Sequence, residues 1–180
     1  MSRRRTVWSA LVGVALMAVA ALQFAGCAAD PTVGYSSRST FPTQVNSIAL
    51  TIFRNTTFER DIEFHLHEAL QKALEDRTPF RVTRTGRADS ILSGRIVSIE
   101  RDRLSRSPTT GLAQEVLLKV SVDFEWKDVR TGRVLVERKD FQADSVFMPS
   151  PPIGEPIELG EFAVVEKLAH DIVNELRADW

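Results

Sequence analysis

The sequence predicts an α+β fold, a two-layer sandwich of two helices packed on one mixed, mostly antiparallel sheet. Three observations carry this. Two stretches place apolar residues at the three-and-four spacing of a helix face, one near residue 62 and one at the end of the chain. Between them lies a long segment of alternating apolar and polar residues, as in a sheet with one face on a core and one in water. A short strand precedes the first helix, so the order is strand, helix, several meandering strands, helix.

The first strand is Ile48 to Phe53, apolar on both faces and therefore expected inside the sheet. Asn55-Thr56-Thr57 breaks it. Thr56 and Glu59 have the spacing of a capping box, which predicts a helix start there. Ile62, Leu66, Ala69, Leu70, Ala73 and Leu74 form the buried stripe of that helix, which ends before Pro79 because the residue preceding proline disfavours helical angles. A short strand follows at Phe80–Thr83, then a longer one from Ile91 to about Arg103 with Gly94 inside it, a mark of a bulge or bend.

The clearest strand comes next. Val116, Leu118, Val120, Val122, Phe124 and Trp126 share one face; Glu115, Lys119, Ser121, Asp123, Glu125 and Lys127 share the other. Asp128 to Gly132 is a turn. Val134 to about Phe147 returns, with alternation slipping around Glu137–Asp140 as at a bulge. Met148 to Pro156 is a proline-rich loop, and Phe147, Met148 and Ile153 beside it have two readings, a partner contact or a cover for the end of the sheet, of which the cover is preferred. In the last helix Leu159, Phe162, Val165, Ala169, Ile172, Val173 and Leu176 are the expected buried stripe.

Upstream, Arg3-Arg4-Arg5 precede an apolar run from Val7 to Leu22 and then Ala25-Gly26-Cys27. These are the parts of a secretory signal. The apolar run falls short of the ~20 residues that span a bilayer. Ala-Gly-Cys resembles a lipobox, in which cleavage leaves an acylated cysteine as the first mature residue. Cys27 is the only cysteine, with no disulfide partner in the chain, and acylation gives it a use. The expected organisation is a signal at residues 1–26, a lipid-anchored tether at 27–44 and one domain at 45–180. Ala28 after the cysteine, in place of Asp, points to the outer membrane. Loss of residues 1–26 removes three arginines and no acid, moving the net charge from −1 to −4. That gives no argument for a nucleic-acid partner.

No catalytic motif is present. His65 and His67 point to different sides of a helix and His170 has no ligand-spaced companion, so no metal is expected. There is no nucleophile elbow and no glycine-rich phosphate loop.

Ile48-Ala-Leu-Thr-Ile-Phe-Arg-Asn-Thr-Thr-Phe58 resembles the opening of the LPS-assembly lipoproteins, the LptE-like family: an apolar strand, Phe-x-Asn-x-Thr, then a helix. Arg77-Thr-Pro-Phe-Arg-Val82, Ala88-Asp-Ser-Ile-Leu-Ser-Gly94, and Gly34-Tyr35 followed by Arg38 are similar to later and earlier parts of the same family. The resemblance implies a non-catalytic lipoprotein without cofactor, on the periplasmic side of the outer membrane. It implies two partners, an LptD-type β-barrel, which it plugs and helps to assemble, and lipopolysaccharide in transit. Lipoproteins that activate peptidoglycan synthases or assist export systems open similarly, and that alternative stays open at this point.

For lipopolysaccharide contact the candidates are Arg95, Arg101, Arg103 and Arg106, around a hairpin tip built from Ser105 to Gly111, because guanidinium forks suit phosphate. Glu100 and Asp102 interrupt this cluster, and the same arginines would equally serve as a charged strand edge that blocks pairing.

Overall fold

The computed structural model describes residues 41–42, 44–149 and 154–177. The expected signal, Cys27 and most of the tether lie outside them, as does Ile153.

Six strands form one sheet. β1 (Ser47–Leu50) is interior, with β3 (Arg81–Thr83) parallel on one side and β4 (Ser90–Arg106) parallel on the other. β2 (Arg54–Asn55) continues along the same edge of β4. β5 (Ala113–Asp128) and β6 (Val134–Phe147) follow antiparallel, giving the order β3-β1-β4-β5-β6. Helix α1 (Ile62–Arg77) makes the crossover between the parallel strands β1 and β3. Helix α2 (Ile157–Glu175) packs beside α1 and over β5 and β6. The fold is the α+β arrangement of two helices on one mixed sheet that the sequence predicts.

The core lies between helices and sheet. Ile48 and Ala49 are fully buried, as an interior strand requires. All six residues of the expected α1 stripe are buried, and so is the even-numbered face of β5 from Val116 to Trp126. Phe41 also belongs to this core, edge-on to Phe80, which in turn lies against Trp126. Trp126 donates its indole N–H to Ser90 Oγ at 2.9 Å, and Ser90 Oγ donates to the Ser47 carbonyl at 3.0 Å. The buried polar groups of this corner are thereby satisfied.

Three expectations need correction. Thr56 and Glu59 do not form a capping box. The helix begins later, at Ile62, behind Asp61, which has a left-handed backbone (φ 70°) and makes no side-chain cap. The reason is that Thr56 is already engaged with β4: its N–H and its Oγ1 both donate to the Ile96 carbonyl, at 3.2 and 2.5 Å.

In α2, Leu159 and Phe162 are exposed, and Gly160, Val164 and Leu168 take their place in the buried stripe. The first turn lies so close to β6 that a Cβ at Gly160 would stand 2.7 Å from Phe147 Cδ1. The glycine therefore faces the sheet and turns Leu159 and Phe162 outward.

Gly94 marks a close approach and not a bulge. An added Cβ would come 2.5 Å from the Phe53 ring and 2.5 Å from the Asp123 carbonyl. The bulge sits just after it, between Ile96 and Ser98, and β4 runs on to Arg106. The slipped alternation in β6 is a true register shift, and Asp140 there has φ 51°.

Candidate interaction surface

The motif residues around Asn55 and Asp89 are occupied in holding strands together. Asn55 Nδ2 donates to the Glu59 carbonyl (2.5 Å) and to Glu63 Oε2 (2.8 Å), while its Oδ1 accepts from the Thr57 N–H and hydroxyl. Asp89 Oδ2 accepts from the Asn46 and Ser47 N–H groups and from the Ser47 hydroxyl at 2.8 Å. The Ser47 hydroxyl bond, followed by the Asn46 N–H, holds the Asp89 carboxyl below its ordinary pKa. Asp89 thereby fastens β1 to the segment that opens β4, and Asn55 fastens β2 to the approach and first turn of α1.

The four candidate arginines occupy different surroundings. Arg95 lies opposite Asp123 on the helix-free face and grips its Oδ2 through Nε and an Nη, at 2.9 and 2.7 Å. Asp123 also accepts the Asp140 N–H at 2.8 Å, and that bond, ahead of Arg95, lowers its pKa. Asp140 in turn accepts from the Ser121 hydroxyl and from Gln142. A surface groove of about 360 Å³ borders this network, with Arg54, Glu137 and Lys139 among its walls. Its charges are largely paired within the protein, Arg95 with Asp123 and Lys139 with Glu137.

Arg101 lies opposite Leu118, on the helix side. It reaches Glu59 at 2.8 Å and Glu161 at 3.2 Å, joining β4 to the approach of α1 and to the N-terminal part of α2. Its bond lowers the pKa of Glu59, and Glu59 raises that of Arg101. Arg103 and Arg106 are exposed, beyond these helix starts on the β4–β5 ribbon, and have no side-chain hydrogen bond or ion pair among the described residues. Leu104 and Leu112 are exposed on the same ribbon. The structure thus does not bring the four arginines together: two are engaged by carboxylates on opposite faces of β4, and two are free at the ribbon.

Sequence reasoning missed the exposed aromatic group at the helix starts: Phe58, Phe64 and Phe162, with Leu159. Phe58 and Phe64 fall outside the α1 stripe and could have been found by subtraction; Phe162 and Leu159 could not, because they fit the expected α2 stripe. Among the described residues no three His, Cys, Asp or Glu side chains could hold a metal ion, and no helix is long and apolar enough to cross a membrane.

No curated protein sequence matches the chain. Solved structures share its fold. Protein XCC0632 from Xanthomonas campestris is 13% identical with a TM-score of 0.54, covering 77% of this chain and 89% of its own. Uncharacterized lipoprotein B from Nitrosomonas europaea is 13% identical with a TM-score of 0.52, covering 80% and 89%. The hypothetical protein CT253 from Chlamydia trachomatis is 9% identical with a TM-score of 0.51, covering 75% and 99%. The model of the lipopolysaccharide-assembly family LptE matches residues 45–179, three quarters of the sequence and the whole of the sheet and both helices. By that match, and with the Phe-x-Asn-x-Thr and Ala-Asp-x-x-Leu-x-Gly residues serving as the fasteners of its sheet, the chain belongs to the LptE lipopolysaccharide-assembly family.

Proposed function

We propose that this protein is an outer-membrane lipoprotein, anchored through an acylated Cys27 on the periplasmic side, that plugs and helps to assemble an LptD-type β-barrel and contacts lipopolysaccharide on its way to the surface. The observation that carries the reading is the family match over the entire folded domain. Its role is binding and scaffolding, without catalysis or cofactor.

The free guanidinium groups support one refinement. Arg95 and Arg101 are already engaged by carboxylates, so a phosphate would have to compete with Asp123, Glu59 and Glu161. Among the described residues Arg103 and Arg106 carry no such partner, and a bidentate arginine–phosphate contact there displaces none of these carboxylates. Lipopolysaccharide contact is assigned to these two.

Two measurements test the reading. Depletion of the protein should lower surface lipopolysaccharide and the level of correctly assembled barrel; normal export and normal barrel levels would defeat it. For the refinement, R103A/R106A should weaken lipopolysaccharide binding about tenfold, the loss of ~1.4 kcal/mol, while R95A changes it little. Unchanged binding by R103A/R106A would remove these residues from the site.

A further inference from the structure

The two helices start at the same end of the domain. Both run back against the direction of the strand before them, and Phe162 and Val165 of α2 line a groove with His65 and Ala69 of α1. Lys72 farther along α1 pairs with Glu166. At that shared end Phe58 is wholly exposed, and Phe64, Leu159 and Phe162 keep 50%, 56% and 59% of their surface in water. Single exposed apolar residues are ordinary; three exposed phenylalanines and a leucine at one end of a domain, among polar residues, mark a contact surface.

The surroundings fix the sign of the contact. Glu59 and Asp61 precede α1 and Glu63 lies in its first turn, while Glu155 precedes α2 and Glu158 and Glu161 lie in its first two turns. Against them stand Arg60 and the Arg101 side chain, which is divided between Glu59 and Glu161. Carboxylates at helix starts complement the helix dipoles, and they make this end of the domain, with its exposed apolar residues, predominantly acidic. A phosphorylated glycolipid or an anionic membrane is repelled by it. A protein patch that combines apolar residues with lysine or arginine fits.

We propose that the paired helix starts, with exposed Phe58, Phe64, Leu159 and Phe162 among their carboxylates, dock a protein partner whose patch is apolar and basic, and do not take lipopolysaccharide. The inference rests on the function proposed above in one respect: the partner is the LptD-type barrel. Arg101 lies at the boundary between two chemistries. On one side is the acidic aromatic shoulder for protein; beyond it is the ribbon with Arg103 and Arg106 for phosphate.

The test uses the full-length lipoprotein in cells, with a photo-crosslinking amino acid placed singly at positions 58, 64, 162, 103 and 130. Arg130 is the control, exposed on the turn after β5, at the far end of the strand from the ribbon. Barrel adducts are expected from 58, 64 and 162 and not from 130, and E158K, which reverses one of these charges, should lower barrel co-purification at least fivefold at unchanged lipoprotein level. Lipopolysaccharide adducts from 58, 64 or 162 would overturn the inference. So would barrel adducts that arise from 103 or 130 and from none of the three, and that result leaves the barrel reading itself standing. Absence of barrel adducts from every position, with normal lipopolysaccharide export on depletion, would defeat the reading and the inference together.

Discussion

The ring of Phe53 lies against Gly94 so closely that a Cβ on residue 94 would come within 2.5 Å of Phe53 Cε2. Both residues belong to the sequence elements by which the family resemblance is carried, and here they are one contact: the segment 51–53 that links β1 to β2 can lie on β4 only where β4 has no side chain. G94A should therefore destabilise the domain by about 1–3 kcal/mol, the usual cost of overpacking a core. Denaturant unfolding checks it. F53L should recover part of that loss in the double variant, but not all, because the Asp123 carbonyl is equally close. Full additivity of the two substitutions would show that the contact is not the cause.

Asn55 is the second fastener, with both ends of its amide in use. N55A should cost about 1–3 kcal/mol, because it strands partly buried donors and acceptors. N55D keeps the acceptor but loses the donor and sets a second carboxylate against Glu63. It should be at least as damaging as alanine, and E63Q should restore part of the loss. Thermal unfolding of the four proteins separates these outcomes.

How much of this was legible follows from where local pattern governs. The α1 stripe could be read because its helix rests one continuous apolar face on the core. The phase of α2 could not, because it is set by Gly160 approaching Phe147, a contact between distant residues. The arginine cluster was misleading for a similar reason. Arg95 and Arg101 are six residues apart and would share a face of an unbroken strand. The register shift between Ile96 and Ser98 reverses the alternation, so Arg95 meets Asp123 on the open face and Arg101 meets Glu59 on the helix face. Gly94 hints at irregularity nearby, but it does not tell on which side of the break each arginine falls. In β6 the corresponding break was legible, since its slipped alternation is the bulge itself.

The carboxylates give a pH dependence of definite sign. Asp89, held low by the Ser47 hydroxyl, Asp123 by the Asp140 N–H, Asp128 by the Thr131 N–H, Asp140 by the Ser121 hydroxyl and Glu59 by Arg101 all have depressed pKa values in the folded protein. A depressed folded value stabilises the protein above the unfolded pKa, near 4, and that contribution disappears as pH falls through the folded value. Stability should be level above about pH 5 and should drop steadily below about pH 4. D89N, which removes one of these groups, should be less stable than the parent at pH 7 and should lose stability less steeply in acid. An unchanged acid slope would mean that Asp89 keeps an ordinary pKa.

Arg101 and the pair Arg103 and Arg106 should separate cleanly in their effects. Arg101 ties the strand to the approach of α1 and to the N-terminal part of α2, but its side chain is about one-third exposed, so solvent weakens each bond. R101A should cost about 0.5–1 kcal/mol of stability and increase amide exchange at the start of α1 and α2. Its effect on lipopolysaccharide binding should be small, since the guanidinium is already divided between two carboxylates. R103A/R106A should leave unfolding within about 0.5 kcal/mol of the parent, as surface substitutions do, while reducing lipopolysaccharide binding. Unfolding and binding measured on the same variants decide the matter: equal loss of binding in R101A and R103A/R106A would mean that the phosphate reaches past the ribbon to the helix starts, and the acidic shoulder would then lose its claim to repel it.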